Sequence, residues 1–206
     1  MCAIIGSYDI DKLRELAKKN AYRGSFSHSL MIINAQNTVI SLTKGFGELD
    51  LSNVHLYKGA YYLAHIQAPT GGMVKDINRI HPSEDEYGNM LYHNGILKSS
   101  YLKSNDYDGW DTKLLHNKII DTEDYSVLDE VDGSFSCIDI IEGVGITMFR
   151  NSASPMFVDS ELNISSTKFD NSISTKYNTI YQIDLLNHEY NKIGIFDNKN
   201  TPYYLG

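Results

Sequence analysis

From Gly133 onward the chain is a near-continuous series of short segments rich in β-branched, aliphatic and aromatic residues, interrupted by Gly, Pro, Asn, Asp and Ser. That pattern reads as strand, turn, strand, and strands are expected at 134–141, 145–150, 156–158, 162–165, 179–185 and 192–196. Upstream the same grammar predicts strands at 2–8, 29–34, 38–43, 60–66 and 89–93. Only two stretches carry helical spacing. In 9–20, Leu13, Leu16 and Ala17 fall on one side, Asp9 stands where a cap would, and Lys18 and Lys19 close the end. In 111–120, Leu114, Leu115 and Ile119 share a face. No internal repeat and no domain boundary is visible. The pattern predicts one antiparallel, sheet-rich α+β domain spanning 1–206, with few helices.

Composition narrows the partners. With 42% apolar residues, 15 Tyr and 7 Phe, the chain can bury a sizeable core, so disorder is excluded. Its apolar runs are only a few residues long, far short of the roughly 20 that span a bilayer, and residues 1–11 lack the basic start and apolar stretch of a secretory signal. No membrane association and a cytoplasmic location are expected. A net charge of −8 with singly scattered Lys and Arg argues against nucleic acid. No cofactor or metal is expected: His65, His81 and His93 are irregularly spaced, no His-Glu-x-x-His or Cys-x-x-Cys occurs, and Gly71-Gly72 and Gly143-Val-Gly145 lack the full phosphate-binding pattern. The acidic runs at 84–86 and 121–124 read as solvated turns, and Tyr57, Tyr61 and Tyr62 as sheet packing.

Two cysteines cannot build a disulfide framework. Cys137, in a β-rich run, reads as a buried free thiol. Cys2 is different. An initiator Met is usually removed before so small a residue, and its removal would give Cys2 a free α-amine. With a pKa near 7.7 to 8.0, that amine can take the proton of its own thiol. Tyr92-His93-Asn94-Gly95 has two readings. Asn-Gly after an apolar run signals a type I′ hairpin. It also supplies a side-chain amide beside a backbone N–H, the donors of an oxyanion hole, each worth about 3 to 4 kcal/mol of barrier.

Cys2-Ala-Ile-Ile-Gly6, Tyr22-Arg-Gly24, Ala64-His65, Thr70-Gly71-Gly72, His81-Pro82, His93-Asn-Gly95, Asp111-Thr112 and Arg150-Asn-Ser-Ala-Ser-Pro155 follow one another in the order and approximate spacing of the class II glutamine amidotransferase domain. Ile164-Ser-Ser-Thr167 and Thr179-Ile-Tyr-Gln-Ile183 extend the likeness almost to the end. The chain thus resembles a member of the N-terminal nucleophile hydrolases. The resemblance implies a four-layer α/β/β/α sandwich with two antiparallel sheets between helical layers. It implies Cys2 as the nucleophile that forms a thioester with glutamine and releases ammonia, and Asn94 and Gly95 as oxyanion donors. Asp111 matches the carboxylate that holds the α-ammonium of glutamine, with helix capping as its structural alternative. Thr70 and Gly71 match the loop lining the same pocket, and His81 a family position of less direct effect.

One departure bears on substrate. Where many relatives read His-Thr-Arg-Trp-Ala-Thr-His-Gly, this chain has His65-Ile-Gln-Ala-Pro-Thr-Gly-Gly72, so Gln67 replaces the arginine that pairs with the substrate carboxylate. The expected loss is about 1 to 3 kcal/mol. Arg79 either substitutes for it or is a solvated loop residue. The resemblance implies a hydrolase of the glutamine side-chain amide, with no synthase domain fused to it and a separate acceptor subunit as the expected partner. A hydrolase of another γ-glutamyl amide and a catalytically weak binding or assembly module remain the alternatives.

Overall fold

The computed structural model describes residues 2–68, 75–103, 105, 107–122 and 124–199. In chain order its elements are β1 (Ala3–Ser7), α1 (Ile10–Asn20), β2 (Ser27–Ile33), β3 (Val39–Phe46), β4 (Tyr61–Gln67), β5 (Ser83–Glu84), β6 (Met90–Leu97), α2 (Ser99–Lys103), α3 (Asp111–Thr122), β7 (Gly133–Ile141), β8 (Gly145–Arg150), β9 (Phe157–Val158), β10 (Ile164–Ser165), β11 (Ile173–Ser174), β12 (Thr179–Asp184) and β13 (Glu189–Ile195). Short 3-10 turns at Ala21–Arg23, Ile77–Arg79 and Tyr125–Asp129 complete it. Pairing is antiparallel throughout, in two sheets ordered β11-β9-β10-β1-β4-β2-β3 and β13-β12-β8-β7-β6-β5.

Alternation along β1 explains the layering. Ala3 and Ile5 face α1 and join Leu13, Leu16, Ala64 and Ile66 in one apolar cluster. Ile4 faces the opposite way and meets Met31, Tyr61 and Leu63 of its own sheet and Met90, Tyr92, Ile138 and Met148 of the second sheet. Beyond that sheet, Leu91, Phe135 and Phe149 pack against Leu115 and Ile119 of α3. The result is the expected four layers, helix, sheet, sheet, helix. Each fully buried Leu, Ile or Phe contributes about 1.5 to 3 kcal/mol of transfer free energy. Asp9 caps α1 by accepting from Asp11 N at 2.8 Å, with Lys18 and Lys19 in the last turn.

Most predicted strands end within a few residues of the observed ones. β5 and β11, two residues each, and α2, five residues, carry too little periodicity to be anticipated. The Asn94-Gly95 hairpin reading is corrected: the pair lies inside β6, opposite Ser136 and Phe135 of β7. Cross-strand pairing on β7 overrides the local turn preference. Tyr61 and Tyr62 pack in the sheet as expected, Tyr61 donating to Leu162 O at 2.8 Å, whereas Tyr57 lies in the loop before β4, exposed, with its ring against His55. Cys137 is a fully buried free thiol, whose pKa burial pushes up. No helix among the described residues is long and apolar enough to cross a membrane.

Candidate active site

Register carries Cys2 to its position. Ala3 pairs with Ile66, so the residue before β1 lies beside the residues that follow β4, and the Cys2 thiol donates to Ala68 O at 3.7 Å. Arg23 holds the same corner, with Nη1 donating to Cys2 O and Nη2 to Ser166 O, both at 3.3 Å, and Nε to Thr167 Oγ1 at 3.0 Å. Cys2 is 6% exposed. With Met1 in place, burial pushes its thiol up to about 11; Arg23 pulls against that, and Asp111 adds to it.

A cavity of about 260 Å³ opens beside the thiol, lined by Cys2, Gly95, Gln67, His81, Arg79 and Asp111 together with Ser27, Tyr107, Trp110 and Thr112. Six of the nine residues singled out from sequence therefore share one wall. Asn94 is not among the lining residues. It is buried, with Nδ2 donating to Ser166 Oγ at 3.1 Å, and Ser166 Oγ also accepts from Ile4 N at 3.0 Å. One bridging hydroxyl thus ties Asn94 to the strand that begins at Cys2. An amide carries two N–H donors, and this bond uses one. Thr70 and Gly71 lie outside the described residues.

The loop after β8 braces the Asn94-Gly95 pair and the β7 strand beside it. Ser154 donates to Asn94 O at 2.8 Å, and Asn151 accepts from Phe135 N at 3.3 Å and donates to Gly133 O at 2.8 Å. That accounts structurally for the 150–155 segment. Gly95 cannot be replaced without displacement: a Cβ there would sit 1.9 Å from Ser134 O and 2.7 Å from His93 Nε2.

At the other end, Asp111 begins α3. Its Oδ1 accepts from Thr112 N at 2.9 Å and its Oδ2 from Leu97 N at 3.3 Å. Helix start and cavity wall coincide in this residue. Thr112 Oγ1 is 2.9 Å from His81 Nε2 and 3.2 Å from His93 Nδ1. A hydroxyl has one proton, so at least one of these imidazoles must donate to it. His81 Nδ1 lies 3.4 Å from Gln67 Oε1, which also accepts from Ser27 Oγ at 2.9 Å. Asp111, Thr112, His81, Gln67 and Ser27 form one connected run. His65 stacks on His81 with ring centroids 3.9 Å apart, and its Nε2 is 3.2 Å from His93 O. Burial drives His65 down to about 3 and His81 well below the usual histidine range, leaving both neutral.

Arg79 is a partly solvated residue of the Ile77–Arg79 turn, its side chain 38% exposed, and its donors are engaged. Its Nη1 donates to Gly109 O at 3.0 Å and its Nη2 to Asp108 O at 3.2 Å, and Nε stands 3.7 Å from Asp76. Sequence reasoning did not single out Ser27, Trp110, Ser166 or the bridging role of Thr112. They are ordinary residues whose meaning depends on partners far along the chain, Ser166 being 72 positions from Asn94.

No family model matches the chain, and no curated protein matches it. Among solved structures it is similar to the glutamine phosphoribosylpyrophosphate amidotransferase of B. subtilis complexed with ADP and GMP. The TM-score is 0.65 at 14% identity, over 93% of this chain and 48% of that one. A second structure, described as the allosteric regulatory enzyme of purine biosynthesis, matches with a TM-score of 0.64 at 14% identity, over 94% and 48%. The chain spans about half the length of these structures. Its fold, two antiparallel sheets between helical layers, is the one these structures share over about half of their length.

Proposed function

We propose that the protein hydrolyses the side-chain amide of glutamine, with Cys2 as nucleophile. The observation that carries the reading is the presence of Cys2, Gly95 and Asp111 on one cavity wall in a fold of this type. With Met1 removed, the α-amine of Cys2 takes the thiol proton and Sγ attacks the amide carbon. Burial disfavours the thiolate, so the nucleophile needs an adjacent base. Charge developing on the carbonyl oxygen is met by the Gly95 N–H and the second N–H of the Asn94 amide. Ammonia leaves as the C–N bond breaks, carrying the proton from the amine, and the acyl group remains on sulfur as a thioester. Water then attacks the thioester, releasing the acid and restoring the thiol. Asp111 pairs with the substrate ammonium.

A separate subunit consumes the ammonia, and the location is cytoplasmic. A second reading, a binding or assembly module, draws on the engagement of Asn94 Nδ2 by Ser166. Ammonia release measured on wild type, Cys2→Ala and Asn94→Ala separates the two. The hydrolase reading expects turnover in the wild type, none with Cys2→Ala, and a severe loss with Asn94→Ala. Equal background rates in all three would establish the module.

A further inference from the structure

The formal charges lining the cavity are Asp76, Asp111 and Arg79. Arg79 is already committed, with its two terminal nitrogens on the carbonyls of Gly109 and Asp108 and its Nε beside Asp76. The fold makes room for it there: Gly109 has φ +98, and a Cβ at that position would meet Arg79 Nη1 at 2.9 Å. Arg23 does not line the cavity and holds the carbonyls of Cys2 and Ser166. Facing Asp111 across the run through Thr112 are uncharged groups, His81, Gln67 and Ser27.

A free amino acid brings an ammonium and a carboxylate; the cavity offers two carboxylates, Asp111 and Asp76, to the ammonium, and to the carboxylate one cation, Arg79, whose terminal nitrogens already donate to Gly109 O and Asp108 O. A carboxylate desolvated beside Gln67 has, among the described lining residues, only Arg79 as a cation, itself beside Asp76 and bonded to two carbonyls, and stands in the field of Asp111 and Asp76. An amide carbonyl in the same position loses far less hydration, and a neutral side-chain amide such as Gln67 can meet it. Tyr107, which is 43% exposed, lines the same cavity with Trp110 and Phe26. Aromatic faces there suit an extended substrate.

Resting on the hydrolase reading above, we infer that the preferred substrate is a glutamine with a free α-ammonium and an α-carboxyl masked as an amide, as at the N-terminus of a peptide. Gln67 is then the residue that sets this preference.

The test uses protein shown by intact mass to lack Met1 and compares kcat/KM for ammonia release from L-glutamine, its α-N-methylamide, glutaminyl-alanine and glycyl-glutamine. The methylamide and the glutaminyl dipeptide are expected to exceed free glutamine by at least about tenfold, equivalent to about 1.4 kcal/mol. Glycyl-glutamine, whose glutamine lacks a free ammonium, falls below both. A fast methylamide with a slower dipeptide assigns the preference to small amides; equal rates assign it to the masked carboxyl itself, and a faster dipeptide to peptides. Gln67→Arg, checked for folding by its melting temperature, shifts the ratio about tenfold toward free glutamine. Free glutamine turned over as well as or better than the masked substrates by the wild type overturns the preference and leaves the hydrolase standing. Ammonia from none of the four overturns both.

Discussion

The Cys2 corner of the cavity hangs on sheet backbone, whereas the Asp111–Gln67 end hangs on side chains. Cys2 follows from the register of β1 on β4, and Asn94-Gly95 from the register of β6 on β7, so each is placed by a ladder of backbone hydrogen bonds. At the opposite end, Thr112, His81 and Gln67 are positioned by side-chain contacts, and the 108–109 loop is tied down by a single arginine. The comparison teaches that chemistry and selectivity are separable in this molecule. Register resists substitution, while a side-chain network can be altered without rebuilding a sheet.

The largest expected effect probes the backbone-held corner. Asn94→Ala should lower kcat by about a hundred- to a thousandfold, about 3 to 4 kcal/mol, in a steady-state ammonia assay. A change confined to KM would break the proposed division of labour. Next comes the side-chain end. Thr112→Val keeps the volume but leaves two buried imidazole nitrogens without their shared hydroxyl, at a cost of about 1 to 3 kcal/mol. Thermal melting should register the loss, and KM should rise more than kcat falls.

Asp139 supplies a control away from the cavity. It is buried on β7 and accepts from the Tyr125 hydroxyl at 2.6 Å, yet burial raises its pKa to about 6 from 3.8. The folded state therefore holds this proton more tightly than the unfolded chain does. Its contribution is greatest below pH 3.8 and disappears as pH rises through about 6. Asp139→Asn should raise stability at pH 8 by about 1 to 3 kcal/mol and flatten that part of the denaturation profile, with catalysis little changed. The smallest effect belongs to Arg79→Gln, which frees the 108–109 loop: KM should rise by about a few-fold, with the melting temperature nearly constant.

The same division decides what was legible in the sequence. Backbone-held features leave local traces. The alternation and helical spacing gave most elements, and the Cys2-Ala-Ile-Ile-Gly6 and His93-Asn-Gly95 segments marked both halves of the reactive corner. Features held by side chains leave none, because contacts such as Ser27 to Gln67, Thr112 to His81 and Asn94 to Ser166 join residues 31 to 72 positions apart. The Asn-Gly pair was ambiguous for the same reason. Its turn preference is local, and the β7 pairing that overrides it is distant.

Whether the chain terminus is the reactive group is tested most directly by intact mass before and after treatment with a chloroketone analogue of glutamine. The account predicts a protein lacking Met1 that gains one adduct, mapped to Cys2 and absent from Cys2→Ala. A retained Met1 with no adduct, or an adduct that persists in Cys2→Ala, would contradict it.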